Sequence, residues 1–187
     1  MCLVEVGDTK PDGTVVMQPK LVPGCQTPVK EGTVVIADSE KVKAAQKATL
    51  EYLLLNHPLD CPTCDQAGEC FLQDYSYKYG RGYSRLQEPK NIKPDKDHIG
   101  ENITLFTDRC IMCTRCVRVC NEVEGAHNWD IKNRGHQVRI ISDFDTPWGE
   151  SITCTSCGKC LHACPTGAIW PKAIVQGQLV KNPGMVT

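Results

Sequence analysis

At 187 residues the chain is long enough for one domain or two small ones and too short for a large multidomain enzyme. Its 21 Lys and Arg against 22 Asp and Glu leave a net charge of −1 and no basic stripe, which argues against nucleic acid as a partner. The longest apolar run near the middle, Leu53 to Leu55, is far short of a membrane span, and no charged-then-apolar leader opens the chain. A soluble, cytoplasmic protein is therefore expected.

The opening MCLVEV alternates apolar and acidic residues, the period of a half-buried strand. Short strands continue to residue 36, punctuated by PDG at 11–13 and VPG at 22–24 and closing on TVVIAD, which ends at Asp38. A helix is predicted from Glu40 to about Asn56, capped by Asp38 or Ser39 and stopped by Pro58. A cysteine-rich loop at 57–70 leads into a short helix that closes near Gly80. Residues 81–100 read as an irregular connector. A strand ITLF follows, then a first cysteine group, then a hairpin of Asn128–Ile131 and Val138–Ser142 joined by NRGHQ. A second cysteine group occupies 154–164, and the tail from Pro171 reads as weakly ordered.

Cysteine dominates the composition, with thirteen in the chain. The count is odd, no export signal is present, and the residues cluster in short repeated spacings, so a metal scaffold is preferred to a disulfide one. The strongest pattern is CIMCTRCVRVC, with Cys110, Cys113, Cys116 and Cys120, repeated as CTSCGKCLHACP, with Cys154, Cys157, Cys160 and Cys164. Both copies have the C-x2-C-x2-C-x3-C spacing of bacterial ferredoxins, in which the last cysteine of each run serves the other cluster. Cys110, Cys113, Cys116 and Cys164 are thus expected to hold one [4Fe–4S] cluster, and Cys154, Cys157, Cys160 and Cys120 a second. The first run has Asn121 where a proline is usual, which leaves its ligands unaffected. A pair of zinc sites is the rival reading, although structural zinc more often uses two separate C-x2-C pairs.

A third group is HPLDCPTCDQAGEC, with His57, Cys61, Cys64 and Cys70. Three thiolates and an imidazole make a closed set of four ligands, but spacing alone leaves His57 evenly poised between ligand and helix-terminal histidine. Three cysteines and one histidine also form an ordinary zinc set. His98, His127, His136 and His162 have no partners at ligand spacing. GRG at 80–82 lacks the third glycine of a dinucleotide fingerprint. Trp129, Trp148 and Trp170 are read as packing residues, and Arg115, Arg118 and Lys159 as surface charges that tune a centre or dock a partner.

The stretch NHPLDCPTCDQAGECFLQD resembles the cluster-binding segment of the iron–sulfur subunit of respiratory complex I, where the histidine and three cysteines hold a [4Fe–4S] cluster. RCIMCTRCVRVCNEVEGAHNWDIKNRG and PWGESITCTSCGKCLHACPTGAIW resemble the small diaphorase subunit of bidirectional NAD-linked [NiFe] hydrogenases, and iron-only hydrogenases carry a similar region. The resemblance implies a third [4Fe–4S] cluster on His57, Cys61, Cys64 and Cys70. It also implies an N-terminal plant-ferredoxin-like domain whose [2Fe–2S] cluster takes four cysteines. Cys2 and Cys25 match the third and fourth of these; the first two would lie upstream of Met1, and GDTKPDGTVVMQPK reads as an insertion between the matching pair. A start methionine placed inside the motif is the simplest account, loss of that cluster the other.

The expected fold class is α+β, with a remnant of a plant-ferredoxin-like β-grasp domain at 1–37, a one-histidine, three-cysteine segment at 38–100 and a two-cluster bacterial-ferredoxin-like domain at 101–187. The expected function is electron transfer between a flavin/NAD-binding diaphorase subunit and the small and large subunits of a hydrogenase, with no catalytic centre in this chain and peripheral membrane association only through partner subunits. Complex I-type NADH dehydrogenase, NAD-dependent formate dehydrogenase and a structural zinc protein are the alternatives.

Overall fold

The computed structural model describes residues 1–93 and 103–171 and the strands at 174–175 and 178–179. The chain divides into two compact units, Met1–Leu55 with Tyr75–Gln87, and Asn56–Asp74 with Glu88–Thr187. This division cuts through the segment 38–100 that the sequence presents as one stretch.

In the first unit, β1 (Leu3–Thr9) pairs antiparallel with each of β2 (Val15–Met17), β3 (Val22–Pro23) and β4 (Thr33–Ile36). Its burial departs from strict alternation, because the neighbours Val6 and Gly7 are both buried. The reason is close approach: a Cβ on Gly7 would sit 2.6 Å from Met17 Sδ and 2.8 Å from the Val16 carbonyl, so only glycine lets β2 cross there. Helix α1 (Glu40–Leu54) begins where expected. The Ser39 hydroxyl accepts the Val42 N–H at 3.2 Å, and Glu40 sits favourably at the positive end of the helix dipole. Val42 and Leu50, on one face of α1, are almost fully buried. On the same unit Glu51 binds Arg85 through two contacts of 2.6 and 2.7 Å, and Arg81 at 3.3 Å.

The helix stops two residues before the predicted Asn56. In the second unit, the Asn56 Oδ1 accepts the Asn91 N–H at 2.9 Å. Helix α2 (Phe71–Tyr79) starts directly after Cys70 and closes before Gly80. Residues 81–93 contain no helix or strand, as expected of a connector; the rest of it, including His98, lies outside the described residues.

The second unit is framed by β5 (Ile103–Leu105) and β8 (Ile169–Pro171), paired antiparallel with Leu105 opposite Ile169. Between them run two copies of a loop and short helix, α3 (Arg115–Arg118) and α4 (Lys159–Ala163), separated by the hairpin β6 (Trp129–Lys132) and β7 (Arg139–Ser142). After α3 the chain continues as a π-helical turn over Val119–Glu124. The core unites Ile103, Leu105, Trp129, Ile140, Trp148, Leu161 and Ile169 with Cys116, Cys120 and Cys160. Within the tail, β9 (Ile174–Val175) and β10 (Gln178–Leu179) form a short antiparallel pair.

Candidate metal centres

The two cysteine runs are repeats in backbone as well as in sequence. In the first, Met112 and Thr114 have φ of 54° and 61°; at the equivalent places in the second, Ser156 and Gly158 have φ of 56° and 68°. Left-handed backbone at a non-glycine residue costs about 1–2 kcal/mol, and three of these four positions carry a side chain. Repeated entry into that region curls the chain so that successive N–H groups face inward, which suits an anionic group such as an iron–sulfur centre. One such amide already meets a sulfur, since Met112 N–H donates to Cys110 Sγ at 3.4 Å.

Two apolar cavities lie against these loops. The first is lined by Cys110, Cys113, Cys116 and Cys164, together with Leu105, Ile140 and Ile169. The second is lined by Cys154, Cys157, Cys160 and Cys120, with Trp129, Trp148 and Ile103. Each cavity thus draws three cysteines from one run and the last cysteine of the other. Among the described residues no three His, Cys, Asp or Glu side chains converge tightly enough to hold one ion. The Trp148 indole N–H donates to Cys154 Sγ at 3.4 Å and the Asn128 backbone N–H to Cys120 Sγ at 3.3 Å. Burial pushes the Cys116 and Cys160 thiols up to about 12, so a thiolate forms there only when a strong cationic partner replaces the proton. Burial also raises Cys110. The donor set, the apolar walls and the inward amides all fit a thiolate-held cluster.

The third group sits on the 3-10 turn Cys61–Thr63, with Cys64 N–H donating to the Cys61 carbonyl at 3.2 Å and Cys70 at the threshold of α2. Buried Gln66 braces the loop through its amide to the Glu69 carbonyl at 2.7 Å. This loop is packed onto the end of the second cysteine run. Cys70 Sγ lies 3.8 Å from the Pro165 carbonyl, and a Cβ on Gly167 would sit 2.5 Å from Cys64 Sγ. Gly167 therefore leaves the space that the Cys64 sulfur occupies. Burial raises the Cys64 thiol and lowers His57, whose Nδ1 is buried without a hydrogen-bond partner and is available as a donor to a metal. The four side chains of this group are gathered on one loop but do not converge on a single point.

In the first unit the β1–β3 pairing, with Leu3 opposite Pro23, carries Cys2 to Cys25; their sulfurs are 3.3 Å apart and exposed. Their mutual contact lowers the Cys2 thiol and raises that of Cys25.

Sequence reasoning missed several residues that hold these loops. Arg109 pairs with Asp60, and Asn128 and Gly167 bear directly on cysteine sulfurs. Lys159 is not a free surface charge, because it pairs with Glu124, which also accepts from Thr155. The three tryptophans are buried as expected, two of them around the second cavity.

Residues 46–85 match the NADH-ubiquinone oxidoreductase-G iron-sulfur binding region, and residues 100–170 match the ferredoxin-like domain of NADH-quinone oxidoreductase subunit 3. These two stretches, which include the cysteine groups described above, are thus similar to iron–sulfur and ferredoxin-like regions. More particularly, the chain contains an iron–sulfur region of the kind found in NADH-quinone oxidoreductases. Over 169 residues it is 38% identical to the G subunit of NADH-quinone oxidoreductase of Rickettsia prowazekii, covering 90% of this chain and 23% of that protein. It is 38% identical over 170 residues to the second G-type NADH-quinone oxidoreductase subunit of Rhizobium meliloti, covering 90% of this chain and 18% of that protein. The chain thus spans about a fifth of these relatives. Its fold matches a chain of an NAD+-reducing [NiFe]-hydrogenase in the H2-reduced state, with a TM-score of 0.74 and 23% identity over 95% of this chain and 70% of that one. No helix among the described residues is long and apolar enough to cross a membrane.

Proposed function

We propose that this chain is an electron-transfer subunit of an NAD-linked oxidoreductase, passing electrons between a flavin/NAD(H) diaphorase subunit and a [NiFe] hydrogenase module. One observation carries the reading: each of two apolar cavities is lined by three cysteines of one run and the fourth of the other. Cys110, Cys113, Cys116 and Cys164 would hold one [4Fe–4S] cluster, and Cys154, Cys157, Cys160 and Cys120 a second. His57, Cys61, Cys64 and Cys70 would hold a third. When bound, such clusters supply reversible one-electron chemistry.

The protein's own part is to hold, dry and tune. Ile103, Leu105, Trp129, Trp148 and Ile169 keep water from the sulfurs, and the Trp148 and Asn128 N–H groups withdraw charge from Cys154 and Cys120. The run of four closely spaced cysteines, rather than two separate C-x2-C pairs, favours a cluster over a single zinc ion. The division 1–37, 38–100 and 101–187 is retained as a functional one, with Cys2 and Cys25 as half of a [2Fe–2S] site in a β-grasp-like sheet.

A complex I-type NADH dehydrogenase is the second reading, favoured by the 38% identity to proteins named as G subunits of NADH-quinone oxidoreductase. Native co-purification separates the two, recovering hydrogenase subunits in one case and quinone-reductase subunits in the other. The shared basis is tested by metal content. Anaerobically purified chain should hold iron and sulfide at about twelve each, three [4Fe–4S] clusters' worth. Cys164→Ser should disturb the cluster on Cys110, Cys113 and Cys116. Stoichiometric zinc with little iron refutes the reading.

A further inference from the structure

Arg109 is a nearly buried charge in the second unit. Its side chain is only 7% exposed, yet it keeps a full guanidinium. Its Nε and Nη2 both donate to Asp60 Oδ2, at 3.0 and 2.7 Å, and the Phe106 ring lies 4.1 Å from the guanidinium carbon. That leaves Nη1, which is buried and has no hydrogen-bond partner among the described residues. A buried, charged N–H without an acceptor costs more than a neutral one, so an acceptor is to be expected there.

The surroundings identify it. Asp60, which holds the other two nitrogens, immediately precedes Cys61. The point where a Gly167 Cβ would stand is 2.5 Å from Cys64 Sγ and 3.6 Å from Arg109 Cδ, so the arginine stem and the Cys64 sulfur share one niche. Arg109 is tied from the other side by Thr166, whose hydroxyl donates to its carbonyl at 3.1 Å. The guanidinium is therefore locked beside the His57 group, one residue from Cys110 of the neighbouring set. Lys159 beside the second cavity differs, being 44% exposed and already paired with Glu124.

We infer that Arg109 Nη1 donates an N–H to a sulfur of the cluster held by His57, Cys61, Cys64 and Cys70, and thereby raises that cluster's reduction potential. The inference rests on the cluster assignment proposed above. A hydrogen bond from a cation stabilises the more negative, reduced state, because the electron adds charge to the sulfurs that accept it. Arg109 is then a tuning residue as well as the clasp between two ligand loops.

The test uses the full chain with its clusters, first as wild type and then as Arg109→Lys, which keeps a cation for Asp60 but removes the planar fork. The histidine-ligated cluster is assigned by the EPR signal lost in Cys70→Ser, and its potential is read by EPR-monitored redox titration. In Arg109→Lys its one-electron reduction equilibrium should fall about tenfold, a potential about 59 mV lower. The other two clusters should stay in place, and in D2O the variant should lack one exchangeable deuteron coupling that wild type shows at this cluster. The pair Asp60→Asn with Arg109→Leu removes both charges together, avoids an orphaned carboxylate, and should shift the same cluster in the same direction. An unchanged potential in both variants overturns the inference, as does an equal shift of all three clusters. Selective loss of this cluster in both variants overturns it too, leaving Arg109 a purely structural role. Wild-type protein with only about eight irons overturns the third-cluster assignment itself.

Discussion

Gly167→Ala isolates how the histidine-bearing loop is seated. Gly167 is buried, and its φ is outside the left-handed range, so an alanine there meets no backbone strain. What it meets is matter: its Cβ would fall 2.5 Å from Cys64 Sγ, 3.3 Å from Gln66 Cβ and 3.6 Å from Arg109 Cδ. The sulfur would have to retreat to at least 3.4 Å for ordinary contact, and Gln66 behind it is braced by its bond to Glu69. Overpacking of this kind costs about 1–3 kcal/mol. The displacement matters more than the cost, because the sulfur that moves is a proposed ligand. The variant should lose about four of twelve irons, one [4Fe–4S] cluster, while the EPR signals of the other two persist. Urea denaturation should show a stability loss in the stated range. Gly82, with no atom within 4 Å of its would-be Cβ, is the control, and Gly82→Ala should stay within about 0.5 kcal/mol of wild type. A Gly167→Ala protein with its full iron complement and wild-type stability refutes the seating argument.

Two other expectations concern the cysteine loops. Thr114→Gly should stabilise the chain by about 1 kcal/mol in urea melts, because a β-branched residue at φ 61° is strained and glycine is not; a loss of stability would contradict this. In iron-stripped chain, burial raises the Cys116 and Cys160 thiols to about 12 from an ordinary 9.0. Unfolded thiols release protons first, so this contribution is complete below pH 9 and is lost as pH rises toward 12. Melts of the stripped, reduced chain at pH 8 and pH 10 should show the later one weaker, and equal stabilities would refute it.

The elements whose signals are local were legible. Ser39 before a helical stretch and Pro58 after it bounded α1 to within two residues, and the hairpin of β6 and β7 fell where alternation and NRGHQ put it. The cysteine spacings likewise marked out the two loops whose cysteines line the cavities, since each run is a single short loop. What escaped was either conformational or distant. Met112, Thr114 and Ser156 adopt a backbone that their side chains disfavour, and only Gly158 hinted at it. Arg109 and Asp60 are 49 positions apart, and Lys159 and Glu124 are 35 apart. Such pairs have no periodicity to read, because folding rather than sequence proximity brings them together. The short reach of β1 alternation had a similar cause, the crossing of Met17 over Gly7.

The way the chain is shared between its two units limits how the protein can be taken apart. The backbone leaves the first unit after Leu55, re-enters it at Tyr75 and leaves again after Gln87. No single cut separates the units, and no continuous gene fragment encodes either one whole without part of the other. A fragment ending at residue 55 lacks the returning segment that contains Arg81 and Arg85, the partners of Glu51. One starting at 88 lacks every residue of the histidine-bearing loop. Expressing either unit alone requires a designed graft, joining 55 to 75 or 74 to 88. For the same reason, recombination at one breakpoint cannot trade one unit for another, and the two are inherited as a single indivisible piece.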